Sequence, residues 1–256
     1  MPDDHLLYRV EDSVAYFTIN REQQRNAISL EAITLFLKYL DQAEKDDRVR
    51  VILITGAGDK AFCSGADLGS ATAGEIQEGF LSYARLLKRL ANYPKPVVAR
   101  VNGYCLAGGM GLMLACDITI AGNNAQFGTP EVNVGLWPMM IGALIYRNVL
   151  RKKAMEMVLL GERFSADQAA EMGLITRATS PAELDETVAQ TLQQLAAKSP
   201  IGMKIGKEAF YAMADLPFEE AVDYLVGKIA EVASTEDAKE GITAFIEKRK
   251  PVFKGK

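Results

Sequence analysis

The sequence predicts an α/β fold: a layered core of strand–strand–helix units followed by an all-helical C-terminal region. Three observations carry this. Apolar strand-like runs alternate with segments of helical periodicity up to about residue 198. Two glycine-rich turns, AFCSGADL (Ala61 to Leu68) and NGYCLAGGMGL (Asn102 to Leu112), each follow an apolar run that reads as a buried strand, RVRVILITG and KPVVARV. From Ser199 onward the strand pattern stops and three amphipathic helices fit, over about 201–214, 217–233 and 236–249. The chain is therefore divided into a core, 1–198, and a C-terminal helical region, 199–256. No low-complexity linker separates them, so the helices are expected to pack on the core or on a neighbouring subunit.

The elements follow in order. Residues 6–20 alternate and read as a hairpin, LLYRVED then SVAYFTIN. Ser29 is placed to cap a helix over about Leu30 to Glu44, with Ile33, Phe36, Leu37 and Leu40 on one face. After the first glycine turn, Gly69 to Glu78 is weakly patterned and polar. Phe80 to Asn92 reads as an amphipathic helix stopped by Pro94 and Pro96. ITIAGNNAQFGTPE offers two short strands around a turn. Met140 to Leu150 and Lys152 to Leu160 read as helices. Ser165 and Gln168 form a capping box for a short helix ending at Gly173, and Ser180 to Glu183 has the same form.

Composition narrows the function classes. The chain is 49% hydrophobic and 24% charged, which is ordinary for a globular protein. A net charge of −4 with scattered basic residues gives no reason to expect nucleic acid or an anionic membrane as partner. The acidic N-terminus lacks the apolar core of a signal peptide, and no apolar run reaches the roughly 18 residues of a membrane span. Three cysteines in apolar or glycine-rich settings read as reduced, buried thiols, so a cytoplasmic location is expected. The single histidine, His5, stands in the terminal segment. Catalysis by Ser-His-Asp or Cys-His is excluded on that count, and scattered cysteines argue against a metal.

The glycine turns carry the chemistry. Small residues leave backbone N–H groups open, and two such turns converging on one carbonyl oxygen form an oxyanion hole. A helix starting behind the second turn, in GLMLACD, would add its dipole. Neither turn spells the G-x-G-x-x-G of a dinucleotide site, and no G-x-x-x-x-G-K-[ST] phosphate loop is present. Each turn also reads simply as a tight turn.

FCSGADL, VNGYCLAGGMGL, ACDITIAGNNAQFGTPEVNVGL, ERFSADQAAEMGLI and EGITAFIEKRKPVF, in that order along essentially the whole chain, resemble the enoyl-CoA hydratase/isomerase (crotonase) superfamily. The resemblance implies a crotonase-type spiral of ββα turns with a C-terminal helical trimerisation region. It implies a homotrimer or dimer of trimers acting on acyl-CoA thioesters, with coenzyme A as part of the substrate and no permanently bound cofactor. It assigns the oxyanion-hole donors to the backbone N–H groups of Ala66 and Gly108. The second of the family's two hydratase glutamates corresponds to Glu131. The position of the first is Gly111 here.

That departure bears on the reaction. Hydration needs one group to activate water and one to deliver a proton, and the two glutamates share those tasks. A single carboxylate suffices for double-bond isomerisation: Glu131 takes a proton from C2 of a 3-enoyl-CoA and returns it at C4. Isomerisation is thus the favoured reading. Hydration with a substituted second group, decarboxylation or C–C cleavage through the same enolate, and a binding protein without catalysis stand as alternatives. Thr129-Pro130-Glu131 also fits a helix start, with Thr129 as cap.

Further residues fall around this site. Trp137, Met139 and Met140 are either core or a lining for the acyl pocket, with Met110 contributing. The resemblance places the CoA adenine near Ala27, Ala66 and the Asp67–Leu68 turn. It brings Phe245 and Lys248 of a neighbouring subunit to the CoA; the bland reading of EKRK is a solvated helix end with favourable cations. Asp67 and Asp117 read as structural.

Overall fold

The computed structural model describes residues 4–67 and 73–256. Leu68 and the first part of the polar segment 69–78 lie outside the described residues. The strands are β1 (Leu6–Glu11), β2 (Val14–Ile19), β3 (Val51–Gly56), β4 (Ala61–Cys63), β5 (Val97–Val101), β6 (Tyr104–Leu106), β7 (Ile118–Gly122), β8 (Gln126–Gly128), β9 (Arg163–Ser165) and β10 (Arg177–Thr179). The helices are α1 (Leu30–Lys45), α2 (Ala73–Ala91), α3 (Gly108–Leu114), α4 (Met139–Asn148), α5 (Arg151–Leu160), α6 (Ala166–Glu171), α7 (Leu184–Ala196), α8 (Pro200–Met213), α9 (Phe218–Ser234) and α10 (Glu236–Ile246).

Two sheets are built in alternation. The larger runs β1-β2-β3-β5-β7-β10 and the smaller β4-β6-β8-β9. Each turn of chain lays one strand in the large sheet, bends, lays the next in the small sheet, and then returns by helix, as in β3-β4-α2 and β5-β6-α3. Glycines permit the bends. A β-carbon on Gly56 would collide with the Ala61 carbonyl, and one on Gly103 with the Lys60 carbonyl. The strands from β2 to β7 in the large sheet are parallel and almost wholly apolar, as strands covered on both faces must be. Phe17, Phe36, Ile52, Ile54, Leu86 and Phe127 are fully enclosed in one continuous core.

Several local expectations hold in detail. Ser29 accepts a hydrogen bond from the Ala32 N–H at the start of α1. Ser165 and Gln168 form the reciprocal capping box of α6. Others are corrected. The helix expected from Phe80 begins at Ala73, because an exposed first part needs no apolar periodicity to continue an established helix. Ser180 caps nothing: its hydroxyl donates to the Glu183 carboxylate, 2.6 Å away, and the helix begins later, at Leu184. His5, in the terminal segment, is tied to the start of α1, with Nδ1 2.7 Å from Ser29 Oγ.

After α7 the chain is helical only. The α8–α10 region is tied back through Asp237, which is 2% exposed. It accepts hydrogen bonds from Ser199 Oγ and from the Lys254 and Gly255 N–H groups. Among the described residues no helix is long and apolar enough to cross a membrane.

Candidate active site

The small sheet fixes the geometry. β4 and β6 are parallel with Cys63 opposite Cys105, and β6 and β8 are parallel with Leu106 opposite Gly128. Three residues beyond Cys63 stands Ala66, and three beyond Cys105 stands Gly108. Three beyond Gly128 stands Glu131. Adjacent parallel strands thus deliver both glycine turns and the glutamate at their carboxyl ends, where open α/β sheets place their sites.

The turns touch through backbone. A β-carbon on Gly109 would collide with the Cys63 carbonyl, and one on Gly108 would lie 3.5 Å from the Ala66 nitrogen. Gly65, at φ +117°, supplies a conformation that other residues rarely adopt. The Ala66 N–H is aimed by a short parallel bridge to Ile28: Gly65 O accepts from the Ile28 N–H and the Asp67 N–H donates to Ile28 O. The intervening Ala66 N–H therefore points to the other side. Gly108 is the first residue of α3, so its N–H has no acceptor within the helix. Neither N–H meets an acceptor among the described residues. Ala107, just before, is held at φ 49° and ψ −125°, a strained conformation of the kind that costs about 1–3 kcal/mol and collects at functional sites.

Glu131 lies in a 3-10 turn, Pro130–Val134, anchored from both sides. Leu136 N–H donates to the Glu131 carbonyl, and Asn133 donates to the Gly161 carbonyl. Thr129 is fully buried and its hydroxyl donates to Met157 O instead of capping the turn. The Glu131 side chain is half-buried, and its Oε2 is enclosed and meets no donor among the described residues. Burial pushes its carboxyl above the usual range. A carboxylate made more basic by desolvation, with a lone pair free, is suited to take a proton from carbon.

Gly111 is enclosed in α3. A β-carbon there would collide with both the Tyr83 hydroxyl and the Ile141 Cγ2 methyl. Tyr83 is 7% exposed, stands on the buried stripe of α2 with Leu86, Leu87 and Leu90, and donates its hydroxyl to Gly108 O. The sequence reading missed this residue. Its one trace was a tyrosine within a leucine stripe, whose hydroxyl needs a partner when buried.

Arg21 was missed as well. It clamps two CoA-candidate positions at once, donating to the Ala27 carbonyl at 2.7 Å and to the Asp67 carboxylate at 2.6 Å. Asn26, 1% exposed at φ 55°, accepts from the Arg21 N–H and donates to the Ala57 and Ala61 carbonyls, which locks this loop against the first turn. Among the remaining candidates, Met110 is fully enclosed in the core and Met140 packs against it. Trp137 and Met139 are exposed at 44% and 74%. Phe245 is 85% exposed at the end of α10, with Lys248 just beyond it in a left-handed conformation. Asp117 pairs with Lys207 at 2.6 Å and accepts from the Val97 N–H, a structural role. Cys63 is buried and its thiol is pushed up to about 11, while burial also raises Cys105 and Cys116, so none is a poised nucleophile.

Comparisons with known proteins agree with this architecture. Residues 9–256 match the family described as Enoyl-CoA hydratase/isomerase. The short-chain-enoyl-CoA hydratase of Clostridium acetobutylicum is 32% identical over 251 residues, 96% of each chain. The carnitinyl-CoA dehydratase of Escherichia coli K12 is 36% identical over 259 residues, 95% of this chain and 96% of the relative. The crystal structure of an enoyl-CoA hydratase from Bacillus anthracis superposes with a TM-score of 0.95 at 30% identity, covering 98% of this chain and 100% of that one. On the match over residues 9–256 and on these relatives, the chain belongs to the enoyl-CoA hydratase/isomerase family.

Proposed function

We propose that this enzyme moves a double bond along an acyl-CoA thioester, from 3-enoyl to 2-enoyl, with Glu131 carrying the proton. The Glu131 carboxylate takes a proton from C2. The electron pair moves into the thioester, whose oxygen becomes an enolate held by the Ala66 and Gly108 N–H groups. Glu131 then delivers the proton to C4, and the double bond forms between C2 and C3. One observation carries the choice of isomerisation: no carboxylate stands at position 111, and the volume it would need is filled by Tyr83 and Ile141.

The CoA portion runs, on this reading, past Ala27 and Asp67 towards Phe245 and Lys248 of a second copy. Support for a second copy lies on α9, where Phe218, Val222, Val226 and Ile229 form an apolar stripe that this chain leaves exposed. A trimer or dimer of trimers, with 199–256 as its assembling region, covers such faces. Trp137 and Met139 then line the acyl pocket from its rim. CoA enters only as part of the substrate, and the three free thiols fit a cytoplasmic location.

Hydration is the second reading, favoured by the relatives named hydratase and dehydratase. The two separate by product mass. Incubated with 3-hexenoyl-CoA, the enzyme is expected to yield conjugated 2-hexenoyl-CoA of unchanged mass; with crotonyl-CoA it is expected to add little water. Efficient addition of water to crotonyl-CoA would overturn the isomerase reading.

A further inference from the structure

We propose that Tyr83 and Ile141 form a plug that dedicates the site to proton transfer between carbons: they occupy the position-111 side of the pocket, and the Tyr83 hydroxyl sets the Gly108 turn. The proposal rests on the enolate reading above and names the residues that set its outcome.

Four observations converge. The Tyr83 hydroxyl and the Ile141 methyl both fall within the space a side chain at 111 would enter. Both are nearly inaccessible, at 7% and 3% exposure, on two different helices, α2 and α4, that each pack against α3. The hydroxyl donates to Gly108 O, so it restrains the residue that supplies one oxyanion donor. It also stands beside the reacting centre: a β-carbon on Gly108 would be 3.5 Å from both Tyr83 Oη and the Ala66 nitrogen.

The consequences are chemical. The phenol stays neutral, since burial and the nearby Glu131 charge both oppose its ionisation. It therefore adds a hydrogen-bonding group and no second base. Its hydroxyl occupies a hydrogen-bonding position on Gly108 O that a water could take in its absence. Gly111 is then the residue that fits beneath a filled space. A carboxylate restored there has nowhere to go unless Tyr83 and Ile141 give way. Overpacking of that kind forces neighbouring side chains or backbone to shift and destabilises the fold.

Two variants test this, each checked for fold by circular dichroism. Tyr83→Phe keeps the ring and removes only the hydroxyl. It is expected to lower kcat for 3-hexenoyl-CoA isomerisation about tenfold with KM little changed. It is also expected to raise the ratio of hydration to isomerisation at least about fivefold, because a water fills the vacated position. A merely structural tyrosine would lower both activities together and leave the ratio unmoved, which would overturn the proposal. Gly111→Glu alone is expected to gain no hydration of crotonyl-CoA, whereas Gly111→Glu combined with Tyr83→Ala is expected to gain at least about tenfold over it. Equal gain in the single and double variants would also overturn the plug. Failure of the isomerase reading shows differently: the unmodified enzyme would leave 3-hexenoyl-CoA unconjugated, while the comparison between the two Gly111→Glu proteins would still report on the plug.

Discussion

Glutamine at position 131 is expected to lower kcat for isomerisation by roughly 10³-fold, within the range of a lost general acid/base, while acyl-CoA binding persists. The substitution keeps the shape of the side chain and removes, among the described residues, the carboxylate proposed to carry the proton between two carbons. It also has a signed effect on stability. Burial raises the carboxyl of the folded protein above its ordinary value of 4.5, so between the unfolded and folded values the native state binds more protons than the unfolded state. The stability of the wild-type protein is then fullest below the unfolded value and falls as pH rises through the folded one. Glutamine does not ionise and escapes that loss. The melting temperature of Glu131→Gln should exceed that of the wild type at pH 7, and the difference should vanish below the unfolded value. For the same reason, kcat of the wild type should rise with pH along a limb displaced upward from the ordinary carboxylate range. A Glu131→Gln protein with more than a tenth of the wild-type kcat would remove Glu131 from the mechanism.

Alanine at position 108 is the second large effect, about 10²-fold on kcat/KM, with the melting temperature little changed. Gly108 opens α3 without a positive φ, so alanine meets no backbone strain there. Its methyl would sit 3.5 Å from both the Ala66 nitrogen and the Tyr83 oxygen, at ordinary contact distance. The fold accepts it. On the proposed reading the thioester oxygen is displaced, because that methyl crowds the Ala66 nitrogen, and a weakened oxyanion contact approaches the ~10²–10³ rate cost of a lost donor in other enzymes. A kcat/KM within threefold of wild type would mean that the substrate oxygen sits elsewhere.

The two effects depend on parts of the molecule that the sequence disclosed unequally. The two glycine turns were legible because each follows a buried strand, whereas the choice of Ala66 and Gly108 within them is what the family resemblance implies; in the small sheet the strands before them are neighbours in register, Cys63 against Cys105. Strands of three residues leave no periodicity, so β4 and β6 were read as parts of turns, and β9 and β10 left no trace at all. Tyr83 could not be found from its stripe, since the same spacing that buries Leu86 and Leu90 buries it too. What distinguishes it is a contact across the fold to Gly108 O, which no local pattern encodes. Arg21 likewise acquires its meaning from Asp67, in a different turn. A missing carboxylate at Gly111 is what the family resemblance implies; that a β-carbon there would collide with Tyr83 and Ile141 is a tertiary fact.

The central claim is that one shielded carboxylate carries the proton from C2 to C4. It is tested most directly with 3-hexenoyl-CoA deuterated at C2, turned over in ordinary water, with the label located by NMR and mass. The buried, unpartnered Oε2 of Glu131 predicts that part of the deuterium appears at C4 of the 2-hexenoyl product. A product with no deuterium at C4, or one that has gained water, would contradict a single-carboxylate transfer.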